Sequence, residues 1–566
     1  MYDLFGQIFR SKGLNYMLND EPLNRMINFF DREIVSHGKG KVGPLSSSDI
    51  QDLSKMGEYV SNELIEIMDN VDHKGKPELI MWGLDGKRID YVRLSPEHRR
   101  ALQKLQEFGS VSKSVSGKSS WMYHFISGYL ISDPGIFCTL TLTAQTAYGV
   151  GKYLKNKPEI LQSFLNSKNP WYGATFYSEN QGGSDLSATR TTAEQSEGKW
   201  ILNGQDKYFA SNAGIADGAI VTAKIGEGGI RSLGTFFVPY VGENGEHNFL
   251  IRRLKNKLGT VAVPSGEIEL YNSEAYLLGT EKFGIYYAME ILTISRVDDA
   301  LAALGIARKA FWEAFIHTER RKAFGNYLQD LPLMRRDLLT MEAQIEASLA
   351  VSMYSAVLFS LVTDVVPPYN EDYHYARFLT HLAKNGAAWT ADSITSYSME
   401  IFGGIGFFEE FPVAKFHRDA LVTSIWEGTS NIQSLDMLET IAGKNVLPRF
   451  MTDMKKRLEH ITKGALREGI EEQLKRIEAY SQAVISSGNP QLSSKNLLKR
   501  LVDLAGVILL GEMGAVNNDD NMTRMANIYY FTVYGQFLDD QNQVKVENEL
   551  FSDITPLMWM SRGKSE

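Results

Sequence analysis

Cysteine is almost missing from this sequence, which has a single one, Cys138, among 566 residues. A lone cysteine cannot form an intramolecular disulfide, and it cannot build a thiolate metal site by itself. Its neighbours Ile136, Phe137 and Leu140 are apolar, so we predict a buried, unreactive thiol rather than a nucleophile. A chain without disulfides is typical of a reducing compartment, and we therefore expect a cytoplasmic location.

The sequence also lacks a long apolar segment. The apolar stretch at 505–510 is too short to cross a bilayer, which takes about 18 to 20 apolar residues. The first residues do not combine a basic segment with a following apolar one. We therefore expect neither a membrane partner nor a secretory signal.

Signals for nucleotide and metal binding are equally weak. No Gly-x-Gly-x-x-Gly follows a predicted strand, and the Gly-Lys-Ser at 117–119 has the wrong glycine spacing for a phosphate loop. Glu371 and His374 have the spacing of half a carboxylate-bridged site, but the other half is missing, so we predict no metal. The net charge of -9 argues against a dedicated nucleic-acid binder.

What the sequence does contain is a change of periodicity that divides it into four parts. Residues 1–170 and 281–440 carry apolar residues three or four apart, whereas 171–280 has short β-rich runs separated by turns. Helical spacing continues in 441–566, where acidic and basic residues nearly balance. We predict a mainly α protein with a central β-domain, made of an N-terminal helical domain (1–170), a β-domain (171–280), a helical bundle domain (281–440) and an extra C-terminal helical domain (441–566).

Glu427 is the strongest candidate for a catalytic residue. It lies in a loop between a helical pattern that ends in a glycine-rich turn and a new helix that Thr429 can cap. Trp426 can shield the carboxylate from water and raise its pKa, while Gly428 leaves space beside it, as a general base requires. Composition alone also allows an ordinary acid in the first turn of a helix, where the dipole favours negative charge.

Two further segments can hold a ligand. Residues 175–185, Thr-Phe-Tyr-Ser-Glu-Asn-Gln-Gly-Gly-Ser-Asp, offer hydroxyls and glycine N–H groups to a planar heterocycle or a phosphate. A plain Gly-Ser-Asp turn is the alternative for this segment. Residues 321–325, Arg-Lys-Ala-Phe-Gly, end a predicted helix, either as an ordinary basic helix end or with a guanidinium that binds a diphosphate.

Taken together, these segments resemble the motifs of the acyl-CoA dehydrogenases. Ile-Trp-Glu-Gly-Thr-Ser-Asn-Ile-Gln at 425–433 is similar to the family signature I-Y-E-G-T-x-x-I-Q, and Glu-Ile-Phe-Gly-Gly-Ile-Gly-Phe at 400–407 is similar to Q-I-L-G-G-x-G-F. The alkylation-response branch is the most similar, through Glu-Asn-Gln-Gly-Gly-Ser-Asp at 179–185 and Leu-Lys-Asn-Lys-Leu-Gly at 254–259. That branch has an extra C-terminal helical domain.

The resemblance implies a small β-barrel, a four-helix bundle and FAD as the cofactor. It also implies that Ser184, Arg296 and Gly428 contact an acyl-CoA substrate. The residues that it implies for FAD binding are Tyr177, Ser178, Gly183, Ser184, Tyr208, Phe209, Ala210, Arg321, Phe324, Glu400, Gly403, Gly404, Thr429 and Asn431.

The sequence departs from the family pattern within this set. Tyr208 and Ala210 stand where tryptophan and threonine are usual, so a hydroxyl near the cofactor is missing. Leu331 and Glu400 stand where the family usually has glutamine, and Glu400 adds a negative charge close to the expected diphosphate.

The activity implied by the resemblance is α,β-dehydrogenation of an acyl-CoA thioester to the trans-2-enoyl-CoA, a step of fatty acid metabolism. Glu427 is expected to take the α-proton, and the electrons are expected to pass to an electron-transfer flavoprotein or another acceptor. The family residue that Arg321 matches contacts the FAD of a neighbouring subunit, which implies a homodimer or homotetramer. The alternative is an alkylation-response flavoprotein that binds DNA with little or no dehydrogenase activity, and we favour the chemistry because the charge shows no basic C-terminal face.

Overall fold

Helices form most of the N-terminal part of the chain in this computed structural model, which describes residues 4–37, 42–535, 538 and 540–551. They are α1 (Leu4–Ile8), α2 (Glu21–His37), α3 (Ser47–Tyr59), α4 (Ile65–His73), α5 (Pro96–Glu107), α6 (Ser112–Val115), α7 (Trp121–Ile131), α8 (Pro134–Tyr153) and α9 (Pro158–Leu165). Between α4 and α5, strands β1 (Glu78–Trp82) and β2 (Arg88–Arg93) form an antiparallel hairpin. Helices α7 and α8 are buried on nearly all sides, so they form one wall of the protein core.

The central part of the chain folds into a β-domain. Its strands are β3 (Gly173–Phe176), β4 (Thr192–Ser196), β5 (Lys199–Ser211), β6 (Gly218–Ile225), β7 (Leu233–Pro239), β8 (Leu250–Leu254) and β9 (Ser265–Leu277). Strands β6, β4, β5, β9 and β7 pair in that order, and β7 pairs back to β6, which closes a ring. The predicted small β-barrel is therefore confirmed.

Long helices return after the barrel. They are α10 (Gly284–Arg320), α11 (Pro332–Val362), α12 (Glu371–Phe402), α13 (Pro412–Ala420) and α14 (Ser430–Lys444). Helices α10, α11 and α12 pack on one another, and each is buried on most sides, which explains why their apolar residues are not confined to one face. Asn370 begins α12 by accepting a hydrogen bond from the backbone N–H of Tyr373 at 3.0 Å.

The end of α10 differs from the sequence prediction. We expected a helix through the Arg-Lys-Ala-Phe-Gly segment at 321–325, but α10 ends at Arg320. Two short strands follow, β10 (Lys322–Ala323) and β11 (Asn326–Tyr327), and they pair around Phe324 and Gly325. Both turn residues have positive φ, 54° and 82°, and a right-handed helix cannot continue through them.

Further helices follow the bundle: α15 (Val446–Leu458), α16 (Ala465–Ile485), α17 (Ser494–Asn517), α18 (Asp520–Tyr534) and α19 (Asp540–Phe551). Helix α17 is the central one, because it packs on α11, α14, α16 and α18. Residues 552–566 of the predicted C-terminal domain lie outside the described residues. The predicted fold class, mainly α with a central β-domain and an extra C-terminal helical region, is confirmed.

Helix α11 contradicts our statement that the sequence lacks a long apolar segment. By length and composition alone it could cross a membrane, which our inspection of the sequence missed. Within the fold, however, 89% of its most apolar window is buried. A helix covered in this way by its neighbours is typical of a protein core.

A buried arginine joins the two ends of the chain. Arg457 on α15 contacts Glu33 on α2 at 2.6 Å and Glu512 on α17 at 2.7 Å. Its guanidinium also lies over the ring of Tyr354 on α11, 4.3 Å from the ring centre. The arginine therefore connects the N-terminal helices, the bundle and the C-terminal helices.

Replacing Arg457 with methionine should destabilise this junction. The arginine side chain is 7% exposed, so its loss removes the cationic partner of Glu33 and leaves the buried Glu512 with His460 alone. We expect the free energy of the first unfolding transition to fall by about 3–5 kcal/mol in urea titrations. The control is Arg476→Met, because the exposed pair of Arg476 with Glu472 on one helix should contribute no more than about 0.5 kcal/mol. Equal losses in the two variants would contradict the expectation.

Candidate active site

The loop that carries Glu427 has an unusual backbone conformation. Glu427 and Gly428 have positive φ angles, 57° and 101°. A Cβ atom added to Gly428 would lie 2.8 Å from the side-chain nitrogen of Gln433, so only glycine fits. A non-glycine residue with positive φ is strained, and the surrounding contacts must hold it in place.

Side chains from three helices hold this loop through its carbonyl oxygens. Arg296 on α10 donates from Nε to the carbonyl oxygen of Glu427 at 3.0 Å. Gln433 on α14 donates to the same oxygen at 2.9 Å and to that of Gly428 at 3.2 Å. Lys384 on α12 donates to the Gly428 oxygen at 2.9 Å. The position of Glu427 therefore depends on the assembled bundle.

The Glu427 carboxylate is half-buried and accepts a hydrogen bond from Ser295, with Oγ 2.6 Å from Oε2. Burial raises the pKa of Glu427, although the Ser295 hydroxyl and the charges of Arg296 and Lys384 oppose the rise. The direction agrees with the sequence prediction. A carboxylate with a raised pKa and a fixed orientation has the properties of a general base.

Below the loop lies a buried polar cluster. The indole of Trp426 donates to Asp299, and the ammonium of Lys384 lies 3.5 Å from the same carboxylate. Burial raises the pKa of Asp299 to about 7, and the Glu427 charge adds to the rise, while Lys384 and Trp426 oppose it. Trp426 therefore anchors the loop to α10, a role that differs from the water shield that we predicted.

Four of the residues around Glu427 were not predicted from the sequence: Ser295, Asp299, Lys384 and Gln433. One signal could have indicated two of them. Residues 295–299, Ser-Arg-Val-Asp-Asp, place four polar residues within five positions of a helix that is buried on most sides, and all four are buried. Buried polar residues in such a helix need partners, and a conformationally strained loop supplies them.

The β-domain contributes the other predicted residues around this site. Tyr177 and Ser178 follow β3, and the backbone N–H of Tyr208 on β5 donates to the carbonyl oxygen of Ser178 at 2.9 Å. Next to them, the buried ion pair of Lys207 and Glu179, 2.8 Å apart, fixes the two strands. The Glu427 charge contributes to raising the pKa of Tyr177, so the carboxylate and the phenol lie within electrostatic range of each other.

The remaining β-domain residues have different environments. Gly183 and Ser184 are exposed on the turn after Glu179, and a Cβ at Gly183 would meet the Ser178 hydroxyl at 2.8 Å. Ala210 is fully buried, whereas Phe209 is 56% exposed. The ammonium of Lys255 lies 3.2 Å from the ring centre of Tyr208 and covers one ring face. The structure therefore leaves at most one face of the Tyr208 ring for stacking.

A third group of predicted residues lies at the surface. Arg321 and Phe324 are exposed after α10, and Phe324 is 91% exposed. Glu400 is exposed in the last turn of α12, and the exposed Gly403 and Gly404 follow that helix with open space beside them. The exposed Thr429 and Asn431 begin α14, where the Thr429 side chain makes no capping hydrogen bond, contrary to our prediction.

Cys138 lies close to the same site on α8. The thiol is half-buried rather than fully buried as predicted, and Glu427 and Lys257 both influence its pKa. Burial raises that pKa to about 12, so the thiol stays protonated near neutral pH. This agrees with the prediction of an unreactive cysteine.

Comparison with known proteins connects this geometry to a family. The model of the acyl-CoA dehydrogenase middle domain matches residues 174–273, and that of the acyl-CoA dehydrogenase C-terminal domain matches residues 282–442. Acyl-CoA dehydrogenase family member 11 of Caenorhabditis elegans is 30% identical over 423 residues, which cover 70% of this chain and 68% of that protein. The chain belongs to the acyl-CoA dehydrogenase family.

One further relative agrees with this assignment, and a solved structure shows the same fold. AidB of Escherichia coli (strain K12) is 29% identical over 393 residues, covering 64% of this chain and 69% of that protein. The crystal structure of Caenorhabditis elegans ACDH-11 in complex with C11-CoA has the same fold, with a TM-score of 0.80 at 23% identity over 96% of both chains. The protein is thus an acyl-CoA dehydrogenase, an oxidoreductase with FAD as its cofactor.

The residues of the site fit this cofactor. The hydroxyl of Tyr177 is buried and has no hydrogen-bond partner within the described part of the chain. An unpaired buried hydroxyl costs about 1–3 kcal/mol, which a ligand with an acceptor atom can offset. The next residue, Ser178, carries a hydroxyl, and the strand bound to it carries the exposed ring of Phe209, which suit a large heteroaromatic group with polar edges.

The Ser295 hydroxyl should tune the basicity of Glu427. Its hydrogen bond lowers the pKa of the carboxyl group, so Ser295→Ala should raise that pKa further. A base works only when ionised, and the acid limb of the pH–rate profile should therefore move to higher pH. The rate of FAD reduction by acyl-CoA should fall more at pH 6 than at pH 8. A uniform loss at both pH values would indicate that Ser295 acts only on structure.

Proposed function

We propose that the protein converts an acyl-CoA thioester to the trans-2-enoyl-CoA and that Glu427 accepts the α-proton. The observation that carries the proposal is the half-buried Glu427 carboxylate with a raised pKa, oriented by Ser295 in a strained loop. When bound, FAD supplies a two-electron acceptor for the β-hydrogen, which leaves as hydride. We propose that FAD is held by the β3 and β5 segments around Tyr177, Ser178 and Tyr208, together with the exposed segments that contain Phe324 and Gly404.

The backbone of Glu427 suits a second task. Within the residues that the structure describes, the Glu427 N–H donates no hydrogen bond, although the carbonyl oxygen of the same residue accepts two. A thioester becomes acidic at its α-carbon only when its carbonyl oxygen is stabilised as charge develops. We therefore assign the Glu427 N–H as a donor to that oxygen, which places donor and base on one residue.

An anaerobic titration of the FAD-loaded protein with acyl-CoAs of different chain length tests the proposal. At least one acyl-CoA should bleach the flavin absorbance, and the matching trans-2-enoyl-CoA should form in equal amount. Bleaching by dithionite but by none of the acyl-CoAs would contradict the proposed dehydrogenation. The substrate class of this chain is proposed from its family and from the crystal structure of ACDH-11 in complex with C11-CoA.

We also propose that the protein is a homo-oligomer. Large apolar side chains are exposed in the segments that we assign to FAD binding and beside Glu427: Phe209, Phe324, Phe407, Phe408 and Ile425. Exposed apolar side chains concentrated in functional segments are typical of surfaces that a partner or ligand covers. The mass of the FAD-loaded protein in solution, measured by light scattering, should be two or four times the chain mass. A monomer would contradict this part of the proposal.

The proposed route for the electrons leads to an electron-transfer flavoprotein or another protein acceptor in the cytoplasm. Exposed residues such as Phe209 and Gly404 in the proposed FAD segments leave an approach for a partner. The acyl-CoA-reduced protein should be reoxidised faster by an added electron-transfer flavoprotein than by dissolved oxygen, and cell fractionation should find it in the cytoplasm.

Membership of the alkylation-response branch is supported by the match to AidB, and it keeps DNA binding as the alternative. The charges of the C-terminal helices do not favour that alternative, because Arg457, Arg467, Arg476 and Lys499 each pair with an acid. Such pairing reduces the positive potential that attracts phosphates. Salt-sensitive binding of duplex DNA by a protein that no acyl-CoA reduces would support the alternative.

A further inference from the structure

Tyr177, near Glu427, and Tyr534, on α18, have buried hydroxyls without a hydrogen-bond partner among the described residues, unlike other tyrosine hydroxyls of the protein. Those of Tyr123, Tyr129 and Tyr148 donate to oxygen atoms of Phe108, Asp20 and Glu290. Tyr177 is only 8% exposed, and its oxygen has no partner among the described residues. A buried hydroxyl in this state is explained by an acceptor that the protein itself does not supply.

The surroundings of the hydroxyl place it in the active site. Tyr177 comes directly after β3, and the next residue, Ser178, is bound to the backbone of Tyr208 on β5. The charge of Glu427 contributes to raising the pKa of the phenol, so the two groups lie within electrostatic range of each other. Burial and that charge raise the pKa of Tyr177, so the group is a neutral donor throughout the working pH range.

We propose that the Tyr177 hydroxyl donates a hydrogen bond to a carbonyl oxygen or ring nitrogen of FAD and thereby favours the reduced cofactor. The ring system has acceptor atoms on its polar edges, and Tyr177 directly follows β3 at the point where the next residue, Ser178, is bound to β5. Reduction makes these acceptor atoms more electron-rich, so a donor binds the reduced form more tightly than the oxidised form. The proposal depends on FAD in this site and not on the role of Glu427.

Tyr177→Phe tests the proposal, because it removes one oxygen atom and keeps the ring. We expect the variant to lose about tenfold in its preference for reduced over oxidised FAD, which lowers the two-electron midpoint potential by about 30 mV. The visible flavin spectrum should shift as well. An unchanged potential and spectrum, with acyl-CoA binding alone weakened, would show that the hydroxyl serves the substrate and would overturn the proposal.

Melting temperatures with and without FAD separate this role from a structural one. Without FAD, Tyr177→Phe should melt at the wild-type temperature or above, because the oxygen that it removes is unpaired. With FAD, it should melt below wild type. Poor retention of FAD combined with a wild-type melting temperature of the stripped protein also supports the proposal, whereas an equal loss with and without FAD overturns it.

Tyr123→Phe is the matched control. Its hydroxyl donates to the carbonyl oxygen of Phe108 within the protein. This variant should show the opposite pattern, a lower melting temperature without FAD and an unchanged midpoint potential. A shift of the potential as large as that of Tyr177→Phe would contradict a direct contact between Tyr177 and the cofactor.

Discussion

Glu427→Gln should keep its yellow flavin and lose reduction by acyl-CoA. The amide has nearly the same shape, so the hydrogen bonds from Arg296 and Gln433 to the backbone of residue 427 remain. It cannot accept the α-proton, however, and a positioned general base typically contributes about 10²–10⁴-fold to the rate. We expect anaerobic stopped-flow reduction to slow by that factor, with FAD content and dithionite reduction unchanged.

The pH dependence of the reduction rate is a second test of the loss of the Glu427 carboxylate. The wild-type reduction rate should rise as the pH increases past the raised pKa of Glu427, whereas the residual rate of the glutamine variant should show no such rise. Glu439→Gln is a suitable control, since Glu439 is an exposed acid on the same helix that follows the loop. Wild-type bleaching by Glu427→Gln would remove this residue from the chemistry.

Lys384→Met should have the second large effect, on stability and on activity together. Lys384 is fully buried, and its ammonium serves both the Gly428 carbonyl oxygen and the Asp299 carboxylate. Removing one member of a buried pair leaves the other charge uncompensated, which costs about 3–5 kcal/mol. We expect that loss in urea titrations, together with at least a tenfold slower reduction by acyl-CoA, because the loop loses one of its donors.

The loss of stability in Lys384→Met should grow with pH. Burial already raises the pKa of Asp299 to about 7, and removing the ammonium that opposes the rise moves it higher. The folded protein then holds a proton that the unfolded chain releases, so its stability falls as pH rises up to the folded pKa. The deficit relative to wild type should therefore be greater at pH 9 than at pH 6.

A double variant separates charge from packing. Asp299→Asn added to Lys384→Met removes the unpaired acid, and part of the stability should return. Lys455→Met, which alters an exposed pair with Glu478, should have little effect at either pH. A Lys384→Met variant with a pH-independent loss, unimproved by Asp299→Asn, would show that the ammonium contributes only packing.

The candidate site could be predicted best where its residues are adjacent in the sequence. Glu427 and Gly428 stand side by side, and the new helix that follows them was predicted. However, α13 lies between the glycine-rich turn and this loop, and Thr429 makes no capping hydrogen bond. The short strands and long helices likewise follow from periodicity, although the closure of the barrel depends on the pairing of β6 with β7, which no local pattern records.

The residues that were missed act across long separations. Ser295 contacts Glu427 across 132 positions and Lys384 contacts Gly428 across 44, so no motif contains either pair. Trp426 was interpreted from its size alone, and the indole N–H that binds Asp299 could not be assigned a partner. Local turn geometry was equally hard to predict. The sequence at 321–325 predicts the end of a helix, but Phe324 has a positive φ and lies in a turn between two short strands.

The arginine that joins Glu33 to Glu512 determines when the helix at 21–37 can complete its ionic contacts during synthesis on the ribosome. The helix at 21–37 leaves the exit tunnel early, but its buried ionic partner is made 424 residues later. Until then that helix exposes a carboxylate and an apolar face, which a chaperone can bind. The helix at 21–37 therefore reaches its final environment only after residue 457 has been made.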